Sequence, residues 1–279
     1  QGQDGRFSVI DANVEPAGPT AAGAVGDCDN DGTLDLFVGQ WLRQYPRDPA
    51  PDFLFRGMGD GRFTDGSSMA GLPTRNDGRP TYGVTFVDWD NDGDRDVFVA
   101  NYGGNPNDAW RNDGRCRFTN FAGDLGSDSD NMGAAGTSFG FAFGDYDNDG
   151  DLDAYETNIA HPRYDETGVN TDHSRLLRNA GAPDYRLESV GTESGILFTE
   201  GEISSAWGDY DNDGDLDILL TGDDGFSPVS QVWRNDNGSF IQSTAVLVGV
   251  SQGSTAWGDY DNDGDLDILL TGHNGSSPV

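Results

Sequence analysis

The sequence predicts an all-β fold, a β-propeller of four-stranded antiparallel blades, and three observations carry that expectation. One Asp-rich string recurs five times along the 279 residues, starting at Asp27, Asp88, Asp145, Asp209 and Asp259. The copies are 61, 57, 64 and 50 residues apart, a period that belongs to propellers and related arrays. Between the copies, short apolar runs flank Gly-containing turns, the pattern of antiparallel hairpins. A two-sheet sandwich, the competing all-β arrangement, has no need of five copies of one loop.

Each unit reads in order as strand a, Asp loop, strand b, connection, strand c, tight turn, strand d. Strand a carries small residues before the loop (Ser204, Ser205 and Ala206; Ser254, Thr255 and Ala256; Ala21, Ala22 and Gly23), which suits the crowded innermost position. Strand b, as in Ile218-Leu219-Leu220, is continuously apolar, as a strand buried on both faces must be. Strands c and d are written in 52–63, 108–118, 174–187 and 230–240. The fifth unit has strands a and b only, while Asp4-Gly5-Arg6-Phe7 repeats Asp60-Gly61-Arg62-Phe63 of a strand d. The expectation is therefore a single domain over 1–279, with five blades and the N-terminal strand closing the last. That blade would lack the heart of strand c, and its open edge would invite pairing with a neighbouring molecule. An excerpt from a longer chain is the competing explanation.

Composition narrows the function. Forty-nine acidic residues oppose 16 basic ones, all Arg, for a formal charge of −33. Nucleic acid and anionic membrane surfaces are poor partners for such a chain, since nothing neutralises their phosphates. No apolar run approaches the ~18 residues of a membrane helix, so no membrane insertion is expected. The start at Gln1 without Met fits a processed, secreted protein or a trimmed one. Cys28 in the a–b loop of the first unit and Cys116 after the c–d turn of the second would meet at one end of neighbouring blades. A disulfide fits an oxidising compartment, and two free thiols remain the alternative.

The loops, D-x-D-x-D-G-x-x-D, span 27–35, 88–96, 145–153, 209–217 and 259–267. Calcium takes six to eight hard oxygens, and side chains at alternating positions 1, 3 and 5 of a tight turn converge on one point. Gly at position 6 permits the reversal, position 7 offers its carbonyl, and Asp at position 9 closes the shell. The candidate ligands are Asp27, Asp29, Asp31 and Asp35 with Thr33; Asp88, Asp90, Asp92 and Asp96 with Asp94; and Asp145, Asp147, Asp149 and Asp153 with Asp151. The last two loops supply Asp209, Asp211, Asp213 and Asp217 with Asp215, and Asp259, Asp261, Asp263 and Asp267 with Asp265. About five calcium ions (Ca2+) are expected, one per repeat. Four carboxylates in nine residues repel one another unless a cation sits among them. An EF-hand is excluded: position 12 is Val38, Val99, Thr157, Leu220 or Leu270 rather than Glu, and the flanks read as strands.

The string GDYDNDGDLDILLTG resembles the FG-GAP or VCBS repeat of integrin-type β-propellers, and the resemblance covers essentially the whole chain. It implies one calcium per loop, held between two strands of a blade, in secreted or surface proteins that bind proteins or glycans. Thr33 departs from Asp at position 7, a change expected to matter little if only the backbone is used. The Phe-Gly mark survives at Phe139-Gly140, and five loops stand where familiar members often have seven blades.

The function expected is a non-catalytic, extracellular adhesion, ligand-binding or self-assembling module whose partner is a glycan, a protein or a copy of itself. Trp41, Tyr45, Tyr102 and Tyr164 lie on the long connections and suit either sugar stacking or anchoring against the blades. The alternative is a polysaccharide lyase or hydrolase on the same scaffold, using His161, Asp165, Glu166, Asp172 and His173. No G-x-S-x-G, H-E-x-x-H or phosphate-cradling motif accompanies that cluster. His273 occupies the place of Asp223 in the fourth unit and reads as a solvated loop residue.

Overall fold

The computed structural model describes residues 11–16, 18–44, 48–73, 79–102, 105–125, 138–158, 174–196, 204–224 and 226–279. Four complete antiparallel sheets follow one another along these residues. The first orders β1 (Thr20–Gly26), β2 (Asp35–Gln40), β5 (Phe53–Gly57) and β6 (Phe63–Asp65) edge to edge. A small separate hairpin of β3 (Leu42–Gln44) and β4 (Asp48–Pro49) lies within the connection that the sequence reads as a loop. The second sheet holds β7 (Thr81–Val87), β8 (Asp96–Asn101), β9 (Asp108–Asn112) and β10 (Phe118–Asn120). The third holds β11 (Ser138–Gly144), β12 (Asp153–Asn158), β13 (Arg175–Asn179) and β14 (Leu187–Ser189). The fourth holds β15 (Ser204–Gly208), β16 (Asp217–Asp223), β17 (Pro228–Asp236) and β18 (Ser239–Gln242). The last unit is two-stranded, β19 (Ser251–Gly258) with β20 (Asp267–His273). The chain is thus an all-β propeller of four-stranded antiparallel blades, with the a-b-c-d order that the repeat predicts.

The loop sequence makes each a–b turn. Asn at position 4 adopts the left-handed conformation in all five copies (Asn30, Asn91, Asn148, Asn212 and Asn262, φ 53° to 60°). Gly follows two residues later at φ 86° to 97°. Asn is among the few residues that enter this region cheaply, and Gly enters it freely. Strand b then starts on the position-9 Asp.

The apolar strand b is the spine of each blade: β8 and β12 are buried along their whole length, and β16 in all but its last residue. The core fills the spaces between successive sheets. Phe37, Leu54, Val97, Val99 and Phe118 join the first two units; Phe98, Phe141, Ala154 and Leu177 join the second and third; Tyr155, Leu176, Ile218, Leu220 and Phe240 join the third and fourth. The disulfide forms, with the Cα atoms of Cys28 and Cys116 5.0 Å apart, and ties the first two units at the loop end.

Two features stand apart from the sequence reading. Short helices α1 (Ser67–Ala70) and α2 (Gly191–Ser194) and a 3-10 turn at Ala122–Asp124 follow strand d in the first three units. Residues 12 and 13 lie along the outer strand of the first unit, where the Phe63 N–H donates to the Ala12 carbonyl (2.9 Å) and Asn13 Nδ2 donates to the Phe63 carbonyl (3.2 Å). Ring closure by Asp4–Phe7 lies outside the described residues, as do Tyr45, Tyr164 and the polar cluster from His161 to His173.

Candidate metal centres

Position 1 organises each loop. In the first, Asp27 accepts the Asp31 N–H at Oδ1 (3.1 Å) and the Gly32 N–H at Oδ2 (2.8 Å). The same pair of bonds recurs at Asp145, Asp209 and Asp259 with lengths of 3.0 to 3.1 Å. Asp88 keeps the bond to Gly93 N–H. At position 5, one oxygen of Asp31, Asp92, Asp149, Asp213 and Asp263 accepts the position-7 N–H at 2.7 to 3.0 Å.

Position 9 is a buried clamp. Its Oδ2 accepts the position-2 N–H, as in Cys28 to Asp35 (3.0 Å) and Tyr210 to Asp217 (3.0 Å). Its Oδ1 accepts an N–H from strand c: Gly57 to Asp35, Asn112 to Asp96, Asn179 to Asp153 and Asn235 to Asp217, at 2.7 to 2.9 Å. Burial pushes the carboxyl groups of Asp96 and Asp153 up to about 7 and that of Asp217 to about 6.

Position 3 differs. Asp29 Oδ1, Asp90 Oδ1 and Asp147 Oδ1 are buried and accept no hydrogen bond, and Asp88 Oδ1 shares that condition. A buried carboxylate oxygen without a donor is costly, and a cation is what satisfies it. The oxygens converge accordingly. One atom each from Asp27, Asp29 and Asp35 lies within 4.8 Å of the others, as do atoms of Asp88, Asp90 and Asp92, of Asp145, Asp147 and Asp153, and of Asp209, Asp211 and Asp217. Hard, anionic, oxygen-only donor sets of this kind fit calcium. Arginines of strand c flank two of the loops: Arg56 pairs with Asp29 and with Asp35 (3.0 Å), and Arg111 pairs with Asp90.

The side chain at position 7 has a role that sequence reasoning missed. Asn30 Nδ2 donates to Asp94 Oδ1 of the next loop (3.1 Å), Asn91 to Asp151 (2.8 Å), Asn148 to Asp215 (2.9 Å) and Asn212 to Asp265 (3.2 Å). Position 4 of one unit therefore latches onto position 7 of the next. The expectation that only the backbone matters at position 7 is corrected: Thr33 puts a hydroxyl where four other loops present a carboxylate. A second latch runs backwards from strand c. Asn112 Nδ2 reaches the Cys28 carbonyl (2.7 Å), Asn179 the Trp89 carbonyl (3.1 Å) and Asn235 the Tyr146 carbonyl (2.7 Å), each in the preceding loop. The signal was legible, because both Asn positions recur across the internal copies without being ligands.

At the opposite end of the blades, Trp41 packs against Tyr82 (centroids 5.3 Å) and Tyr102 (5.1 Å), and Tyr82 against Phe139 (4.1 Å). Trp41 and Tyr102 are half-buried in this cluster, as anchors against the blades. His273 is the last residue of β20, half-buried, and its Nδ1 accepts the Gly275 N–H (3.0 Å).

A family model described as an FG-GAP-like repeat matches residues 27–99, 88–155 and 209–270, which is more than half of the chain and contains four of the five loops. The chain belongs to the FG-GAP-like repeat family. Among relatives of this FG-GAP-like chain is cartilage acidic protein 1: the Homo sapiens protein is 28% identical over 196 residues, covering 67% of this chain and 27% of the relative. The Xenopus tropicalis protein is 26% identical over 224 residues, covering 77% of this chain and 30% of the relative. The chain spans less than a third of the length of these relatives. A solved structure of an Agrocybe aegerita lectin, described as specifically recognising non-reducing terminal N-acetylglucosamine, is similar with TM-score 0.49 and 16% identity, covering 91% of this chain and 62% of that one.

Proposed function

We propose that this FG-GAP-like chain is a calcium-stabilised, extracellular propeller module that works by binding a glycan or a protein rather than by catalysis. The observation that carries the reading is the set of buried position-3 oxygens without a hydrogen-bond donor, each beside two or more converging carboxylates. Asp27, Asp29, Asp31 and Asp35, and their counterparts in the other loops, would hold the ion with the position-7 carbonyl. Bound calcium supplies the positive charge that lets strands a and b meet at a crowded acidic turn.

A non-catalytic role is supported by how the acids are used. Positions 1, 5 and 9 accept backbone N–H groups of their own unit, so these carboxylates fix loop structure instead of standing free for proton transfer. The extracellular reading is supported by the Cys28–Cys116 disulfide and by kinship with a protein named for cartilage. Among the described residues no helix is long and apolar enough to cross a membrane.

Scanning calorimetry in calcium, magnesium and chelator tests the reading. Extracellular calcium modules bind with Kd of about 10⁻⁴–10⁻³ M. At about ten times Kd, five independent sites add roughly 7 kcal/mol, against about 5–15 kcal/mol for a whole domain. Chelation lowers Tm sharply and magnesium does not restore it. An unchanged Tm after chelation contradicts the reading.

A further inference from the structure

The interface between successive units is one device used repeatedly, and it has a donor face and a receiving face. On the trailing face of each unit, the last residue of strand a floors a socket for the next unit. A Cβ on Gly26 would meet the Phe86 ring at 2.7 Å, on Gly144 the Trp207 ring at 3.1 Å, and on Gly208 the Trp257 ring at 2.7 Å. The socket's wall is the position-2 aromatic: Tyr146 stacks on Trp207 (6.3 Å, 12°) and Tyr210 on Trp257 (6.1 Å, 6°). Its rim is a backbone carbonyl, since Trp207 Nε1 donates to Ala142 O and Trp257 Nε1 to Ala206 O, both at 3.1 Å. The position-4 Asn then reaches the position-7 Asp of the incoming unit.

The last unit carries the whole receiving set. Gly258 has nothing within 4 Å of its Cβ direction among the described residues. Tyr260 is 82% exposed and Leu269 of β20 is 64% exposed, whereas the matching Leu219 is fully buried. The carbonyl of Ala256 and the left-handed Asn262 stand where Ala206 and Asn212 stand one unit earlier.

The leading face of the first unit lacks the complementary set. Two residues before the loop, where later units have Phe86, Phe143, Trp207 and Trp257, it has Val25, which is 59% exposed. At position 7 it has Thr33 in place of Asp94, Asp151, Asp215 and Asp265. At the end of strand c it has Gly57 in place of Asn112, Asn179 and Asn235, and any Cβ there would lie 2.3 Å from the Leu34 carbonyl. Val25 has no ring to stack and no N–H to donate, Thr33 has no carboxylate, and Gly57 has no amide to reach backwards.

We infer that the face formed by Gly258, Tyr260, Asn262 and Leu269 is a docking surface for a further FG-GAP-like repeat bearing Trp two residues before its loop and Asp at position 7. Continuity with the four unit-to-unit contacts already present fixes this occupant. The first unit of the same molecule, or of a second copy, is not the occupant. The array is directional, and the expected closure of the fifth unit onto the first is replaced by a receptive end.

Extending the chain after Val279 with a copy of residues 230–279 tests this, because Val279 aligns with Val229 and the copy presents Trp257 and Asp265 counterparts to the Gly258 face. Thermal unfolding is read for extended and unextended chains, each with and without Gly258→Val or Asn262→Ala. The expected result is that Gly258→Val lowers Tm of the extended chain by about 4 °C or more, with a smaller drop for Asn262→Ala, and that both leave the unextended chain unchanged. Placing Val and Thr at the Trp257 and Asp265 counterparts of the added copy reproduces the loss. A drop of equal size in the unextended chain means that Gly258 already packs on the first unit and overturns the proposal. A Tm of the unextended chain that rises with protein concentration means that copies dock head to tail, which overturns it too. Insensitivity of both chains to Gly258→Val does the same.

Discussion

Replacing Asn179 with Ala removes one of the backward latches, and its cost follows from the bonds lost. The side chain is buried; Nδ2 donates to the Trp89 carbonyl (3.1 Å) and the Leu152 carbonyl (3.2 Å), and Oδ1 accepts the Gly181 N–H (3.0 Å). The Asn179 backbone N–H, which holds Asp153, is untouched by the substitution. Three bonds at about 1 kcal/mol each, with two buried carbonyls left unpaired, give a loss of about 3 kcal/mol. Asn112→Ala loses only the two amide bonds, to Cys28 and Arg95 carbonyls, because Oδ1 of Asn112 accepts none. Its cost is nearer 2 kcal/mol. Urea unfolding followed by tryptophan fluorescence at fixed calcium measures both. A loss below about 0.5 kcal/mol for Asn179→Ala, or a larger loss at Asn112, refutes the latch reasoning.

Two further predictions rest on other parts of the interface. Asp52 lies beside a small cavity lined by Phe37, Leu72, Pro73, Asp108 and Trp110, and burial pushes its carboxyl from 3.8 up to about 7 despite hydrogen bonds from the Gln40 N–H and the Thr81 hydroxyl. A folded-state value above the unfolded one favours the protonated form, so the contribution is full below about pH 4 and is lost as pH rises through 7. Three units bound the effect at about 4 kcal/mol, less to the extent that water reaches this half-buried residue. Asp52→Asn should flatten the stability profile between pH 4 and 7, and an unchanged slope counts against it. The disulfide closes a span of 88 residues, and its removal in Cys28→Ser/Cys116→Ser should cost about 2–5 kcal/mol in urea unfolding. Equal stability with and without it would show that the hydrophobic contacts of the first two units suffice.

The fold was legible because the repeat restates it. Period-2 and continuous apolar runs, the Gly of each loop and the hairpin turns all pointed to the same a-b-c-d unit, and the sheets follow it. The candidate ligands were legible because alternation in a tight turn has only one geometric outcome. What escaped was the part of the motif that faces a neighbour. Asn30, Asn91, Asn148 and Asn212 read as turn residues in a single copy; their second role needs the next blade beside them. Likewise Asp94 and Asp151 read as spare acids until Asn30 and Asn91 are seen to reach them. Short helices after strand d escaped because four-residue segments such as Ser67–Ala70 carry no periodicity.

The central claim is that these acid clusters are metal sites, and counting ions on the intact chain tests it most directly. Native mass spectrometry of the protein equilibrated in millimolar calcium, then exchanged into volatile buffer, reads the number bound. The account predicts up to five calcium ions, one for each loop, and one fewer in Asp147→Asn, which removes the buried oxygen that accepts no hydrogen bond in the third loop. A chain that carries no calcium, or that carries the same number after Asp147→Asn, contradicts it.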